Sequence, residues 1–313
     1  MQFSQARTLS KIFIQNGLLR WLNYLVSFGA LAAVIFYLFS KKETLLESRI
    51  GSPLWFLLSI ALMPVNWLLE SWKWKILVKP ILKINIVTAL KSVLAGLSAG
   101  FITPRSLGDY YGRLIVFKNG NISLIGALIT GRLAQLSITL LGGLMGVLGI
   151  SKAIPLSFIG WLLALVLALT MMFLLRKQIT KTLGKWHKNV QRSLMLISGY
   201  GKMVFLLVIT ISALRYAVFI VQFFLLFRAF DIELHSLLIF QGISFILLFK
   251  SIVPSVNFMS DLGIREMGSY LFFDYYNLAP VAIQVSLIIW CINILFPVLA
   301  GALITFLNAR THA

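Results

Sequence analysis

Eight long apolar runs decide what this chain can fold into, near 18–39, 54–72, 86–103, 122–149, 156–175, 203–227, 235–253 and 280–307. An α-helix needs about 20 apolar residues to cross roughly 30 Å of hydrocarbon, and most of the runs approach that length. In oil every backbone N–H and C=O must be satisfied within its own element, so runs of this kind are read as helices. The period-2 alternation that would build a membrane barrel is absent. The expected fold class is therefore all-α, a polytopic helical membrane protein forming a single transmembrane domain over 1–313. A chain that is 59% hydrophobic and only 12% charged fits no soluble class. The first run is too long for a signal-peptide core and is followed by Lys41 and Lys42, so it is expected to remain as a first span.

Two amphipathic pieces, about 107–118 and 262–273, follow the third and seventh runs. At roughly 12 residues, or about 18 Å as helix, each is too short to cross. The distribution of Lys and Arg tests what they do. With eight spanning helices and the amino terminus inside, 10 basic residues lie inside and 14 outside, against the positive-inside tendency. A second topology lets the third and seventh runs dip in and return through the short helix that follows, with tips near Thr103–Gly108 and Pro254–Gly263. Then 16 lie inside: three at the amino terminus, four in 73–83, Lys118, seven in 176–202, and Arg310. Only Lys41, Lys42, Arg49, Lys152 and Arg228 remain outside. Six spanning helices plus two re-entrant hairpins, with both termini cytoplasmic, is the preferred reading; eight spanning helices is the alternative.

That topology makes 18–149 and 156–307 an inverted repeat, each half reading span, span, hairpin, span. Inverted repeats with broken helices meeting near the midplane are a transporter architecture. The two hairpins also share local features. Pro104, Gly108, Asp109 and Arg113 in the first are matched by Pro254, Gly263, Arg265 and Glu266 in the second. In each, a proline ends one helix, a glycine is expected to permit the turn, and an acid near the next helix start suits its dipole.

The excess of 28 Lys and Arg over 9 Asp and Glu sits mostly between apolar runs. It reads as topology and contact with anionic headgroups, and no basic cluster interleaved with aromatics points to nucleic acid. His187, His235 and His312 are scattered and Cys291 is a lone cysteine, so no metal-ligand spacing and no cofactor motif is present. No segment between runs exceeds about 27 residues, which leaves no room among them for a soluble catalytic domain.

The charges within the apolar regions are the candidate site, because charge at that depth needs a partner or a role. Lys91 and Lys250 accompany Arg105, Arg113, Arg132, Arg215 and Arg265 there, facing Asp109, Asp261 and Glu266. Lys91 lies near its boundary and snorkels, whereas Arg132 and Arg215 lie about 15 and 18 Å into their helices. One reading is internal pairing of arginine with carboxylate, holding hairpin to bundle. The other starts from five arginines against three carboxylates, a surplus that invites an anion, and guanidinium grips phosphate bidentately. Amino termini of the hairpin helices, near Gly108 and Gly263, would add N–H groups. Gly96, Gly100, Gly142, Gly143 and Gly146 allow close helix approach. Trp67, Trp72 and Trp74 beside Lys73 and Lys75 read as an interfacial belt, with Glu70 pairing locally with Lys73.

These residues carry a resemblance. Pro254 followed by Leu262-Gly263-Ile264-Arg265-Glu266 resembles the proline and G-G-L-G-V-R-E signature of the lysylphosphatidylglycerol synthase transmembrane-region family, also called flippase-like. Thr103 to Asp109 is similar to its P-x-R-x-G-E-x-x-R element, and Phe227-Arg228-Ala229-Phe230 to its F-R-A-L-G approach. Arg105 comes one position early and Arg113 one late, Asp109 replaces a glutamate, and Ser260-Asp261 stands where Gly-Gly is usual. In the synthases such a region is joined to a soluble aminoacyltransferase domain, and its implied task is moving the charged lipid between leaflets. The resemblance implies an integral membrane lipid translocator in the cell membrane, moving a phosphate-bearing lipid, either an anionic phospholipid or a polyprenyl-phosphate lipid. Arg105, Asp109, Arg113, Arg132, Arg215, Asp261, Arg265 and Glu266 would bind the substrate. The alternatives are a membrane-embedded glycosyltransferase-type enzyme acting on a polyprenyl-phosphate lipid, and an accessory subunit docking through 176–202. Transport is preferred to enzymatic activity, since no paired catalytic carboxylates or nucleotide motif accompany the runs.

Overall fold

A computed structural model of the protein describes residues 50–103, 106–116, 124–149, 156–175, 178, 182, 195–232, 234–253 and 258–310. The first apolar run, 18–39, and most of the basic 176–202 segment lie outside the described residues. Those described are helical, with no strand among them. Among the described residues, four helices are long and apolar enough to cross a membrane: Pro53–Val78 (α1), Leu124–Gly149 (α4), Lys202–Ala229 (α6) and the stretch Ala279–Leu307. The last comprises α9 (Ala279–Trp290), a π-helical segment (Cys291–Leu295) and α10 (Phe296–Arg310). Between them come α2 (Ile86–Ile102), α3 (Gly108–Ile115), α5 (Leu156–Leu174), α7 (Ser236–Ile252) and α8 (Phe258–Phe273).

Local chemistry accounts for several boundaries. Pro53 opens α1 and Pro280 opens α9, where a missing N–H costs nothing. The Asn85 side chain caps α2 by accepting from the Thr88 N–H at 2.8 Å. Pro297 has no N–H to give the Asn293 carbonyl, and the helix widens just there, with the Phe296 N–H reaching back to the Cys291 carbonyl.

The two short-arm helices fold back on their predecessors. Ser92 Oγ donates to the Arg113 carbonyl at 2.8 Å, while Gly100 lies beside Asp109, so α3 runs antiparallel to α2. Lys250 faces Asp261 and Phe245 packs on Phe272, so α8 runs antiparallel to α7. The helical hairpins are unequal, however. The first returns through 8 residues and the second through 16, because α8 begins at Phe258, a turn before the expected start at 262. Asp261 thereby occupies the first turn of α8, as Asp109 does in α3.

The expected role of Gly108 and Gly263 in turning the chain does not hold. No described glycine has a positive φ, and the left-handed residue at the first tip is Ser106, at φ 52°. Gly108 is needed instead for close approach: a Cβ there would stand 2.2 Å from the Ala99 carbonyl oxygen. Gly263 lies within α8. Gly146 acts as the sequence suggests, since its Cβ would meet the Phe245 backbone N at 2.4 Å.

Packing among the long helices and the two hairpins is reciprocal. α1 lies along α6; α4 packs on α7, and α10 packs on α2. Each hairpin's longer arm therefore rests on the long helix that follows the other hairpin. One apolar core gathers Leu140, Phe223, Phe227, Ile243, Phe272 and Ile289; a second gathers Trp74, Leu77, Val93, Leu124 and Val208. Gly146→Ala should force α4 from α7 and cost about 1–3 kcal/mol, read as a lower unfolding midpoint in detergent. Gly160→Ala, with open space around its position, should leave that midpoint unchanged or slightly raised.

Candidate functional site

Positions 59, 66, 70, 73 and 77 fall on one face of α1, spaced i, i+7, i+11, i+14 and i+18. They hold Ser59, Asn66, Glu70, Lys73 and Leu77, all buried, so a helix that is otherwise apolar turns a polar stripe toward the bundle. Glu70 is the centre of that stripe. Its Oε2 accepts from Lys73 Nζ at 2.7 Å and from Arg215 Nη1 on α6, and its Oε1 faces Arg113 Nη2 on α3 at 3.4 Å. The Glu70–Lys73 pair expected from their spacing is present. It is not an interfacial feature, since Lys73 is only 2% exposed.

Asp109 is the second carboxylate. Its Oδ1 accepts from Arg113 Nε at 2.8 Å along α3, and its Oδ2 accepts from Arg132 Nη2 of α4, also at 2.8 Å. Gly96 and Gly100 on α2 make this possible, because a Cβ on Gly96 would lie 2.4 Å from Asp109 Oδ1. Those glycines thus do more than bring helices together.

The Trp67 and Trp74 rings face inward as platforms. The Arg113 guanidinium sits 4.8 Å from the Trp74 ring centre and that of Arg215 sits 5.9 Å from Trp67. Only Trp72 of the three expected belt tryptophans is exposed. Trp74 Nε1 also donates to Ser92 Oγ at 3.1 Å, tying α1 to α2.

These groups line a cavity of about 210 Å³ between α1, α2, α3, α4 and α6. Four cations (Lys73, Arg113, Arg132 and Arg215) share two carboxylates (Glu70 and Asp109) around it. The formal charge of the group is +2. Three of the cations are sequestered, while the Arg132 side chain is 53% exposed and marks the mouth.

A chain of amides leads away from the cavity. Arg215 Nε donates to Asn66 Oδ1 at 2.9 Å, and Asn66 Nδ2 donates to Asn293 Oδ1 at 3.0 Å in the π-helical segment. Asn293 Nδ2 donates to Gln222 Oε1 at 3.0 Å, and Gln222 Nε2 to the Ser59 carbonyl at 2.9 Å. Each link fixes the next, so Arg215 is held from behind as well as by Glu70.

Of the expected site residues, Asp109, Arg113, Arg132 and Arg215 converge on this cavity. Arg105 lies outside the described residues. Asp261, Arg265 and Glu266 do not line it; they form a second buried group on α8, where Lys250 Nζ approaches Asp261 Oδ2 at 3.3 Å. That group, two acids with two bases, is formally neutral, so of the two buried groups among the described residues it is the first that carries the positive surplus. The amino termini do not converge either: the Gly108 N–H is taken by Thr103 Oγ1 at 2.7 Å, and α8 starts at Phe258 rather than Gly263. Glu70, Lys73, Asn66, Gln135, Gln222 and Asn293 were not among the expected site residues. The stripe of polar positions on α1 is the signal that points to the first three.

Glu70→Gln should leave Lys73 and Arg215 buried without their shared counter-charge and cost about 3–5 kcal/mol, seen as a lowered unfolding midpoint in detergent. Lys73→Met should cost less, because Glu70 keeps Arg215 and Arg113.

Comparison with curated proteins and with solved structures gave no match. The family model described as Lysylphosphatidylglycerol synthase TM region matches residues 20–301. That match takes in every described helix up to α10, both hairpins and the cavity they border. The chain belongs to the lysylphosphatidylglycerol synthase transmembrane-region family, a membrane family tied to lipid.

Proposed function

We propose that this protein is a translocator for a phosphate-bearing lipid, an anionic phospholipid or a polyprenyl-phosphate lipid, whose headgroup enters the cavity beside Arg132. One observation carries the reading: three buried cations and the half-exposed Arg132 share two carboxylates around one cavity. Two positive charges without counter-charges attract an anion there, and phosphate matches the guanidinium fork. A cavity of about 210 Å³ suits a headgroup phosphate rather than a whole lipid. The lipid's tails would remain outside, beyond the half-exposed Arg132.

The topology that goes with it is six spans plus two re-entrant hairpins, with 18–149 and 156–307 as inverted repeats and both termini in the cytoplasm of a cell-membrane protein. Three features support it. Both hairpins are antiparallel helix pairs. The packing of α4 on α7 and of α10 on α2 is the exchange that a two-fold relation between halves produces. With Lys73 counted as buried, 15 basic residues lie inside against five outside. In this arrangement Arg113, Arg132 and Arg215 hold the phosphate, Asp109 and Glu70 orient them, and rocking of the hairpins opens the cavity to one leaflet and then the other.

Reconstituted in liposomes, the wild type should accelerate leaflet exchange of labelled anionic phospholipid. Loss of one charge-assisted bond to phosphate is worth roughly 1.5–3 kcal/mol, so Arg132→Ala should slow exchange about ten- to a hundredfold. Equal rates for wild type and Arg132→Ala would remove the proposal. Recovery of a covalently altered lipid, read by mass spectrometry, would favour the enzyme instead.

A further inference from the structure

The buried group on α8 has no part in the phosphate cavity, and its polar atoms are unusually poorly matched. Glu266 is 0% exposed, and neither of its carboxylate oxygens has a hydrogen-bond partner. Ser286 on α9 faces it outside hydrogen-bonding geometry, and the Ser286 hydroxyl, also 0% exposed, is likewise without a partner. Arg265 is 3% exposed, its Nε has no partner, and no ion pair closes between Arg265 and Glu266 among the described residues. Asp109, the acid of the other hairpin, is by contrast engaged at both oxygens by Arg113 and Arg132.

A carboxylate sealed from water with no donor on either oxygen is among the most costly states a buried side chain can adopt. Three partners could relieve it: the neighbouring guanidinium, a metal cation or a proton. A metal cation fits poorly, since no group of three or more His, Cys, Asp or Glu able to hold one occurs among the described residues. Arg265 and Lys250 would also repel it. A proton needs only one oxygen.

We propose that Glu266 is a proton-carrying group of this protein, protonated when the Arg265 guanidinium stands away from it, as here, and deprotonated when the guanidinium closes on it. On uptake, one O–H bond forms on a Glu266 oxygen with a proton drawn from water, and the group passes from formally neutral to +1. On release the proton returns to water and Arg265 takes its place as counter-charge. The charged and titratable groups around Glu266 are Arg265 and Asp261 on its own helix, Lys250 on α7, and Cys291 at the head of the π-helical segment. Lys250 is occupied with Asp261, which leaves Arg265 as the competitor. The exchange would give the proposed translocator a coupling proton in the half that does not hold the phosphate.

Infrared difference spectra of the purified full chain between acid and alkaline pH read the carboxyl directly and need no lipid movement, so this inference can fail while the transport reading stands. A carboxylic-acid C=O band should titrate in the wild type, vanish in Glu266→Gln, and be unchanged when NaCl replaces choline chloride. Arg265→Gln removes the competing charge and keeps the carboxyl, so its band should persist to higher pH by about 1 unit or more. This variant carries the test if Glu266→Gln does not fold. A wild-type band that survives in Glu266→Gln, one that NaCl abolishes at fixed pH, or an Arg265→Gln titration identical to wild type would each overturn the proposal.

Discussion

Glu70 holds Lys73, Arg113 and Arg215 around one carboxylate, with all four side chains almost entirely withdrawn from the surface. These three cations come from α1, α3 and α6, so a single side chain ties together two long helices far apart in sequence and the short return helix of the first hairpin. Pairing so many charges this deep offers little net stability, because desolvation offsets most of the attraction. What it confers is position. Three guanidinium groups, including that of Arg132 on Asp109, are fixed around a space of about 210 Å³.

The two hairpins repeat one motif and resolve it differently. Asp109 and Arg113 are four residues apart on α3, as Asp261 and Arg265 are on α8. In the first hairpin the aspartate bonds its own helix's arginine; in the second it turns to Lys250 on the opposite arm. The first return helix is also half the length of the second. Likeness of sequence between the two hairpins thus accompanies a difference in ion pairing.

Hydrocarbon's demand for internally satisfied backbone made the helices legible, and the runs from 54–72 onward match described helices within a few residues at most ends. The exception is α1, which runs on to Val78, because Trp74, Leu77 and Val78 pack inward past the expected end at 72. That extra turn and a half turned Lys73 from a supposed surface residue into part of the cavity. Asp109, Arg113, Arg132 and Arg215 could be found from depth alone. Asn66, Gln135, Gln222 and Asn293 could not, since an uncharged amide in an apolar helix leaves no trace in a hydropathy profile. Their meaning comes only from which partner lies opposite. Gly108 and Gly263 misled for a related reason: a glycine beside a proline suggests a turn, whereas here the space around Gly108 mattered and its dihedral freedom did not.

The widened turn at Cys291–Leu295 has a consequence for the phase of the helix that contains it. One extra residue in a helical repeat rotates everything downstream by about 100°. α9 directs Ser286 at α8, and α10, in the phase set by the widened turn, directs Gly301 at Leu94 of α2. Deleting one residue there would restore an unbroken spiral and turn Gly301 off its seat, uncoupling the carboxyl-terminal helix from the first hairpin without touching a single charge.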